Sequence, residues 1–221
     1  MTERRAPIGA DFYPDSFILL TGGAGRRLGG ADKASLVVGG RTLLDHALRQ
    51  ARGRPVVVVG PEPRSDMPVI VTRECPAGGG PAAGVAAGVA AMQRGRPDIA
   101  AGELTGLLAV DQAGVTAATW RRLASAAQGA SGGAVLVAGG RRHYGVGVFP
   151  WAPLRERCGV GQEWHGRPLR ELLDPIIATE VRARGDESRD IDTLEDLTWW
   201  RLHADDPGES AEGPGTEGEQ R

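Results

Sequence analysis

The stretch FILLTGGAGRRLGGADKASLVVGG, Phe17 to Gly40, joins an apolar run typical of a buried strand to a turn rich in glycine and basic residues. Glycines in such a turn leave backbone N–H groups open to an anion, because a Cβ would otherwise obstruct its approach. Arg26, Arg27 and Lys33 add positive charge that suits a polyphosphate. The stretch therefore indicates a phosphate-binding loop that follows a strand.

Two common phosphate-binding motifs do not account for this turn. A dinucleotide fingerprint, G-x-G-x-x-G, read from Gly23 has Leu28 where the third glycine belongs, so that match is weak. A G-x-x-x-x-G-K-[ST] loop is excluded because Lys33 follows Asp32 and precedes Ala34. On the residues alone, a chance glycine loop with solvated arginines also stays open, since the chain contains 34 glycines.

Apolar runs and helical segments alternate along the first half of the chain. The runs lack clean polar alternation and predict buried strands at 16–21, 55–60, 67–72 and 104–110. Helical spacing of apolar residues occurs at 43–51 and 82–92. This order predicts an α/β fold with a mostly parallel sheet covered by helices. Ligands of such sheets bind beyond the carboxyl ends of the strands, which is where the glycine turn falls.

The second half of the chain is less regular. Residues 132–150 predict two short strands around a Gly-Gly turn, so part of the sheet is expected to be antiparallel or a hairpin flap. A short helix ended by Pro175, a strand at 176–181 and a helix at 193–203 are expected to follow. The predicted domain spans 16–203, after an N-terminal extension at 1–15. The acidic, Gly/Pro/Ser-rich end, 204–221, is predicted to be disordered.

Composition and charge argue against several functional classes. A net charge of −2 argues against a protein whose whole surface binds nucleic acid or an anionic membrane. Cys75 and Cys158 have no CxxC spacing, which favours reduced thiols over a zinc site or a disulfide. The sequence has neither a signal-peptide pattern nor an apolar run of about 18 residues. We therefore expect a cytoplasmic protein.

Four segments resemble motifs of the MobA-type nucleotidyltransferases. LLTGGAGRRLGGADKASLVVGGRTLLDHAL resembles their signature L-A-G-G-x-x-x-R-M-G-x-D-K-A-x-L followed by G-x-x-L-L, and three later segments are similar in the same order: GGGPAAGVAAGVAAM, GLLAVDQAG and SRDIDTLEDL. Within that family the molybdenum cofactor guanylyltransferases are nearest. The resemblance implies a Rossmann-like three-layer sandwich with helices on both faces, of the nucleotide-diphospho-sugar transferase type. It also implies magnesium-dependent transfer of GMP from GTP to the terminal phosphate of molybdopterin, with release of pyrophosphate.

The resemblance further implies roles for single residues. Arg27, Lys33 and Asp111 are expected to be catalytic, and Asp111 and Asp192 to hold Mg²⁺, which prefers oxygen ligands. The expected nucleotide-binding residues are Leu20, Thr21, Gly22, Gly23, Gly25, Arg26, Lys33, Cys75, Gly80 and Asp111.

Each of the two aspartates also has a purely structural interpretation. Asp111 is alternatively a cap of a helix that begins near Val115. Asp192 is alternatively an N-cap with Glu195 three residues later, and it could combine capping with metal binding.

Several positions depart from the family pattern. Gly60 and Cys75 stand where the family often has an asparagine and an aspartate associated with guanine recognition, although Glu74 is adjacent and backbone groups near residues 20 and 21 are further candidates. Thr21 replaces a small residue, and two motif prolines are replaced by Ala113 and Leu194. Transfer from CTP or another triphosphate, and a non-catalytic nucleotide-binding protein, therefore stay open as alternatives.

The acceptor side of the site is expected at the predicted hairpin. Arg141, Arg142, His143 and Tyr144 are grouped there, in the half of the sheet where the family places its pterin site. A charged hairpin tip with solvated side chains is the alternative.

Overall fold

The expected sheet is present and forms the central layer of the described structure. A computed structural model describes residues 12–22, 32–62, 67–159 and 163–203. Within them one seven-stranded sheet has the order β5-β4-β1-β6-β8-β7-β9. Only β8 among these strands runs against the others, pairing antiparallel with β6 on one side and β7 on the other. The sheet is therefore mostly parallel, as predicted.

The elements follow one another in the order that the apolar pattern indicates. The described strands are Ser16–Leu20 (β1), Val37–Val38 (β2), Arg41–Thr42 (β3), Val56–Val59 (β4), Ile70–Thr72 (β5), Leu104–Ala109 (β6), Gly133–Ala138 (β7), Arg141–Pro150 (β8) and Ile177–Arg182 (β9). The described α-helices are Leu43–Ala51 (α1), Gly80–Gly95 (α2), Ala117–Ala130 (α3), Trp151–Arg157 (α4), Leu169–Leu173 (α5) and Leu194–His203 (α6). Short 3-10 turns occupy Lys33–Ser35 and Asp174–Ile176.

Helices cover both faces of the sheet, which makes three layers. Helices α1, α3 and α6 pack with Phe17 and Leu19 in one apolar core. Helices α2, α4 and α5 pack with Ile18 and Leu20 in a second core on the opposite face. Successive residues of β1 thus enter different cores, and a strand buried on both faces needs no polar alternation. The predicted α/β three-layer sandwich is confirmed.

Some local predictions differ from the structure. The run at 67–72 was expected to be a buried strand, but β5 has only three residues and forms an edge of the sheet, where Val71 is 40% exposed. An edge strand has a neighbour on one side only, so its apolar sequence does not ensure burial. The small β2–β3 hairpin and helix α4 have no counterpart among the predicted elements.

The predicted hairpin at 132–150 belongs to the central sheet. Strands β7 and β8 meet at Gly139 and Gly140, both with positive φ. Strand β8 is ten residues long, and it lies between β6 and β7 instead of forming a flap. Because β8 runs antiparallel to β6, its first residues stand at the carboxyl edge of the parallel strands, where ligands are expected.

The described residues ahead of β1 pack on the domain. The Tyr13 hydroxyl donates to the carbonyl oxygen of Gln50 at 2.7 Å, and the Asp15 carboxylate accepts from the Leu104 amide at 2.8 Å. Phe12 packs against the core that contains α1 and α3. The end 204–221, predicted to be disordered, lies outside the described residues. None of the helices in the described ranges combines the length and apolarity needed to cross a bilayer.

Two glycines of α2 face the sheet at different distances from it. A Cβ at Gly88 would lie 2.7 Å from Cγ2 of Ile18, a fully buried strand residue, whereas a Cβ at Gly84 would make only ordinary 3.5 Å contacts. We expect Gly88→Ala to lower the free energy of unfolding by about 1–3 kcal/mol through overpacking. The matched Gly84→Ala change should raise it by up to about 1 kcal/mol, because alanine favours a helix. Urea unfolding measures both, and equal gains in stability would contradict the close approach of α2.

Candidate nucleotide- and metal-binding site

The Asp-Lys-Ala tripeptide forms a capped turn that holds Lys33. The Asp32 carboxylate accepts a hydrogen bond from the Ala34 amide at 3.1 Å and so caps the 3-10 turn Lys33–Ser35. Ala34 is buried in the core beside α1, and the Leu36 amide donates to the Lys33 carbonyl oxygen at 3.1 Å. Each residue of the tripeptide thus has its own structural role. Asp32 caps the 3-10 turn, Ala34 anchors the turn in the core, and Lys33 lies at the edge of the sheet.

Lys33 joins the two carboxylates that were predicted to bind metal. Its Nζ atom donates to Oδ2 of Asp111 at 2.8 Å and to Oδ1 of Asp192 at 2.6 Å. The three residues lie far apart in the sequence, yet both carboxylates are within hydrogen-bond distance of one nitrogen. The Lys33 side chain is only 12% exposed and that of Asp111 21%, so this ion pair is shielded from solvent better than one on the open surface, whereas the Asp192 side chain is 46% exposed.

The environment of Lys33 favours its charged form. Partial burial alone would lower the pKa of the ammonium group. Hydrogen bonds to Asp111 and Asp192, and attraction to their charges, outweigh that loss of hydration and raise the pKa. Lys33 is therefore a positive charge at neutral pH, placed between two carboxylates.

Asp111 lies just beyond the carboxyl end of β6. The Val110 amide donates to the Leu20 carbonyl oxygen at 3.1 Å, which extends the pairing with β1 up to this aspartate. The alternative role as a helix cap is wrong, because α3 begins at Ala117 and its cap is Thr116, whose side chain accepts from the Thr119 amide. The Asp111 carboxylate is thus left for Lys33 and for a ligand at the sheet edge.

Asp192 is not the cap of the last helix either. The Thr193 hydroxyl oxygen accepts from the Asp196 amide at 3.1 Å, and the Asp196 carboxylate accepts from the Thr193 amide at 2.9 Å. This reciprocal pair is a capping box one residue later than the sequence suggested. The expectation that Asp192 caps with Glu195 is therefore wrong, and no capping bond takes the Asp192 carboxylate away from Lys33.

Close packing of two loops brings the aspartates together. The Ile191 amide donates to the Asp111 carbonyl oxygen at 3.1 Å, and the Ile191 side chain is fully buried. Gly114 touches the same neighbouring loop so closely that a Cβ there would lie 2.2 Å from the carbonyl oxygen of Asp186. The loop after β6 and the loop before α6 are therefore fixed against each other at backbone level.

Glu187 ties the second of these loops to α3. Its carboxylate accepts from the Thr119 hydroxyl at 2.6 Å, from the Arg184 amide at 2.7 Å and from the Arg122 guanidinium. Burial alone would raise the pKa of Glu187, but these hydrogen bonds and the Arg122 charge outweigh it and lower the pKa. Sequence reasoning missed Glu187, Gly114 and Ile191, because their partners become visible only when the two loops pack.

The oxygen atoms of this cluster suit a hard divalent cation. Asp111 Oδ1 is buried and has no hydrogen-bond partner, so one of its acceptor oxygens is unused. Loss of hydration, together with the charges of Asp192 and Asp111, raises the pKa of nearby Asp190. Within the described ranges, no group of three or more His, Cys, Asp or Glu side chains is poised around a metal position. Two carboxylates with phosphate oxygens and water are nevertheless a typical ligand set for Mg²⁺.

On the side of the site expected to bind the nucleotide, the Thr21 side chain occupies the space next to Gly60. Thr21 is 3% exposed, and both its amide and its hydroxyl donate to the Val59 carbonyl oxygen, at 3.1 and 3.0 Å. A Cβ at Gly60 would lie 1.9 Å from the Thr21 hydroxyl oxygen. The two departures from the family pattern therefore compensate each other. The threonine side chain at position 21 fills the space that a side chain at position 60 would enter. The Thr21 amide and hydroxyl hydrogens are already donated within the protein, so neither is free for a base.

The other predicted nucleotide-binding residues lie near the same edge. Cys75 is exposed in the loop from β5 to α2, and Gly80, with φ +84°, begins α2. The Glu74 carboxylate accepts from the Gly78 amide at 3.1 Å and so stabilises this loop. Cys75 also lines a cavity of about 350 Å³ beside α2, and the Lys33 cluster is not among the described residues around that cavity.

Four of the predicted residues belong to the glycine turn and lie outside the described residues: Gly23, Gly25, Arg26 and Arg27. Their roles remain predictions. On the described side of the turn, Leu20 is the last residue of β1 and Gly22 lies just beyond it at the carboxyl edge, as expected. The Leu20 carbonyl oxygen accepts from the Val110 amide.

One cation of the hairpin, Arg142, is paired with two carboxylates. The Arg142 guanidinium donates to Glu180 and to Asp174, each at 2.7 Å, and the Tyr144 hydroxyl donates to the same Asp174 oxygen at 2.7 Å. Hydrogen bonds to the two carboxylates raise the pKa of Arg142. This side chain is therefore part of an exposed charge network with Glu180 of β9 and Asp174 of the 3-10 turn before that strand.

Most of the chain matches one protein family. Residues 17–180 match the MobA-like NTP transferase domain. A curated relative, the molybdenum cofactor guanylyltransferase of Acidiphilium cryptum (strain JF-5), is 60% identical over 37 residues. That alignment spans 17% of this chain and 19% of the relative, so it is a local likeness only.

Solved structures share the architecture at low sequence identity. The molybdopterin-guanine dinucleotide biosynthesis protein A of Archaeoglobus fulgidus has a TM-score of 0.61 and 17% identity, with 85% of this chain and 97% of that chain covered. The 2-C-methyl-D-erythritol 4-phosphate cytidylyltransferase of Thermus thermophilus has a TM-score of 0.58 and 23% identity over 85% of this chain and 97% of its own. These likenesses confirm the fold.

The shared volume of Thr21 and Gly60 predicts coupled effects on stability. We expect Gly60→Ala to lower the free energy of unfolding by about 1–3 kcal/mol, because φ is +151° and the new Cβ would clash with Thr21. Thr21→Ala in the same chain should recover part of that loss, with a coupling of at least about 0.5 kcal/mol.

A matched control separates the clash from backbone strain. Gly53 also has a positive φ, +74° against +151° at Gly60, and open space around its missing Cβ, so Gly53→Ala measures the cost of a positive φ without a clash. Urea unfolding of Gly60→Ala, Thr21→Ala, the double variant and Gly53→Ala is the measurement. Strictly additive losses at positions 21 and 60 would contradict the shared volume.

Proposed function

This chain belongs to the MobA-like NTP transferase family, and on that premise we propose that it transfers GMP from GTP to the terminal phosphate of a molybdopterin-type cofactor, releasing pyrophosphate. The observation that carries the proposal is the contact of Lys33 with Asp111 and Asp192 at the carboxyl edge of the sheet. A protein that merely binds a nucleotide has no need for two carboxylates here. The short likeness to a molybdenum cofactor guanylyltransferase supports the choice of base and acceptor.

Asp111 and Asp192 are the residues that would hold Mg²⁺ in this proposal. The unused, buried Oδ1 atom of Asp111 fits a metal ligand better than it fits a structural role. When bound, the ion would supply positive charge that neutralises phosphate oxygens, a contribution that transfer at phosphorus requires. The two loops that carry the aspartates are packed backbone to backbone, so the carboxylates are positioned before a ligand arrives.

Lys33 and the glycine turn would bind the triphosphate. The Lys33 ammonium is charged and can pair with phosphate oxygens, and Arg26 and Arg27, a few residues earlier in the sequence, are proposed to act with it. The acceptor phosphate attacks the α-phosphorus in line with the departing pyrophosphate. A phosphate monoester is already anionic near neutral pH, so the reaction depends on orientation and charge neutralisation and needs no general base.

Local cations solve an electrostatic problem of this reaction. Two anionic substrates must bind next to each other on a chain whose net charge is −2. Positive charge concentrated at the site therefore has to attract them. The turn that follows β1 concentrates Arg26, Arg27 and Lys33 within a few residues. Losing any one of these charges would weaken binding of the triphosphate more than that of a neutral ligand.

Transfer from CTP is a second candidate, favoured by one specific feature. Thr21 occupies the space of a side chain at position 60, and Cys75 is not a carboxylate, so both positions that the family uses for guanine are altered. The fold is shared with a cytidylyltransferase from Thermus thermophilus. Base choice therefore has to be measured directly.

Consumption of GTP, CTP and ATP in the presence of Mg²⁺ and molybdenum-loaded molybdopterin tests the proposal. We expect GTP to be consumed and pyrophosphate to be released in equal amount. Preferential use of CTP would replace guanylyl by cytidylyl transfer. If none of the three is consumed or bound in a calorimetric titration, the transferase proposal is wrong.

Removing the charge at Asp111 should separate catalysis from folding. We expect Asp111→Asn, which keeps the shape of the side chain, to reduce the transfer rate by about 100-fold, by analogy with the loss of one preorganised charge-stabilising group. The matched control is Asp98→Asn, an exposed carboxylate at the opposite edge of the sheet. Circular dichroism should report the same fold for both variants. A normal rate in Asp111→Asn would remove this residue from the mechanism.

A further inference from the structure

We propose that Lys33 occupies the carboxylate pair as an internal cation until a triphosphate draws it away, so that a divalent metal enters this site together with the nucleotide and not before it. The inference rests on the proposed function, in which the same two carboxylates hold the metal. It assigns Lys33 two successive positions: first between the aspartates, then on the phosphates. The order of binding follows from that exchange.

The described contacts show the first position. One nitrogen donates to Oδ2 of Asp111 and to Oδ1 of Asp192, so it stands where a cation shared by both aspartates would be attracted. The Lys33 side chain is 12% exposed and that of Asp111 21% exposed, whereas that of Asp192 is 46% exposed. Water therefore screens the contact with Asp111 less than the contact with Asp192. A metal bound to the same oxygens would lie against the ammonium and be repelled by it.

The backbone of Lys33 is held by its own turn, whereas its ammonium group is held by the two carboxylates. The Asp32 cap and the buried Ala34 hold the turn in place on either side. The side chain beyond it is a four-carbon stem whose terminal group can rotate about several single bonds. Lys33 can thus exchange carboxylates for phosphates without a change in the fold of the turn.

The charge balance explains why Lys33 leaves the carboxylates at the same time as the metal arrives. Departure of Lys33 alone would leave Asp111 and Asp192 uncompensated at a partly buried site, which is unfavourable. Arrival of a divalent ion alone would place it beside a resident ammonium. A metal–triphosphate complex resolves both conflicts, because its phosphates accept Lys33 while its metal takes the aspartate oxygens, including the unpartnered Oδ1 of Asp111.

Metal binding without nucleotide tests this inference. Mn²⁺, detected by electron paramagnetic resonance, is titrated into the full chain and into Lys33→Met, which keeps the stem length and removes the charge. We expect Lys33→Met to bind Mn²⁺ at least about 10-fold more tightly than the natural chain. Lys33→Arg retains a cation and should stay as weak as the natural chain. Adding Asp192→Asn to Lys33→Met should abolish the gain.

Thermal unfolding supplies a second readout for the same variants. Mg²⁺ alone should raise the melting temperature of Lys33→Met and leave that of the natural chain unchanged. If Lys33→Met does not fold, Lys33→Gln is used in its place, since it is neutral and keeps a hydrogen-bond donor. Tight Mn²⁺ binding by the natural chain, or equal affinities of the natural chain and the neutral variant, would overturn the inference.

These measurements are independent of the test of the proposed function. They contain no nucleotide and no acceptor, so they can fail while GTP is still consumed normally. Conversely, a chain that transfers no nucleotide would overturn the function, whereas the metal titration would still report whether Lys33 excludes the ion.

Discussion

The contact of one ammonium group with two carboxylates organises this site. Lys33 meets Asp111 at 2.8 Å and Asp192 at 2.6 Å, and it thereby joins three parts of the chain that are remote in sequence. Without the cation, two partly buried negative charges would face each other across the carboxyl edge of the sheet. A positive charge between the aspartates, from lysine or from a bound metal, therefore stabilises this arrangement.

Packing at backbone level makes that contact possible. Gly114 allows the loop after β6 to touch the loop before α6, and the Ile191 amide links the two at Asp111. Glu187 adds a buried link from the second loop to α3. Thr21 and Gly60 make a similar close approach after β1 and β4, since they fit together only when position 60 has no side chain. Small residues therefore set the geometry on both sides of the site.

Much of the fold was predictable from the apolar pattern. Strands β1, β4 and β6 and helices α1 and α2 appear where runs and periodicity placed them, because burial on both faces of a sheet leaves a strong signal. The prediction that β5 is buried was wrong, because its sequence resembles that of a central strand although it lies at an edge of the sheet. The caps of α3 and α6 were shifted by a few residues, because Thr and Asp near a helix start compete for the same role.

The sequence by itself determined the family, the order of the layers and the identity of the charged residues at the sheet edge, because these depend on local composition and on motifs that are contiguous in the chain. Only the tertiary structure decided that Lys33 contacts both aspartates, that Thr21 fills the space beside Gly60 and that Arg142 is neutralised by Asp174 and Glu180. Each of these contacts joins side chains whose separation is set by strand order and loop packing. Such distances have no signature in a single sequence.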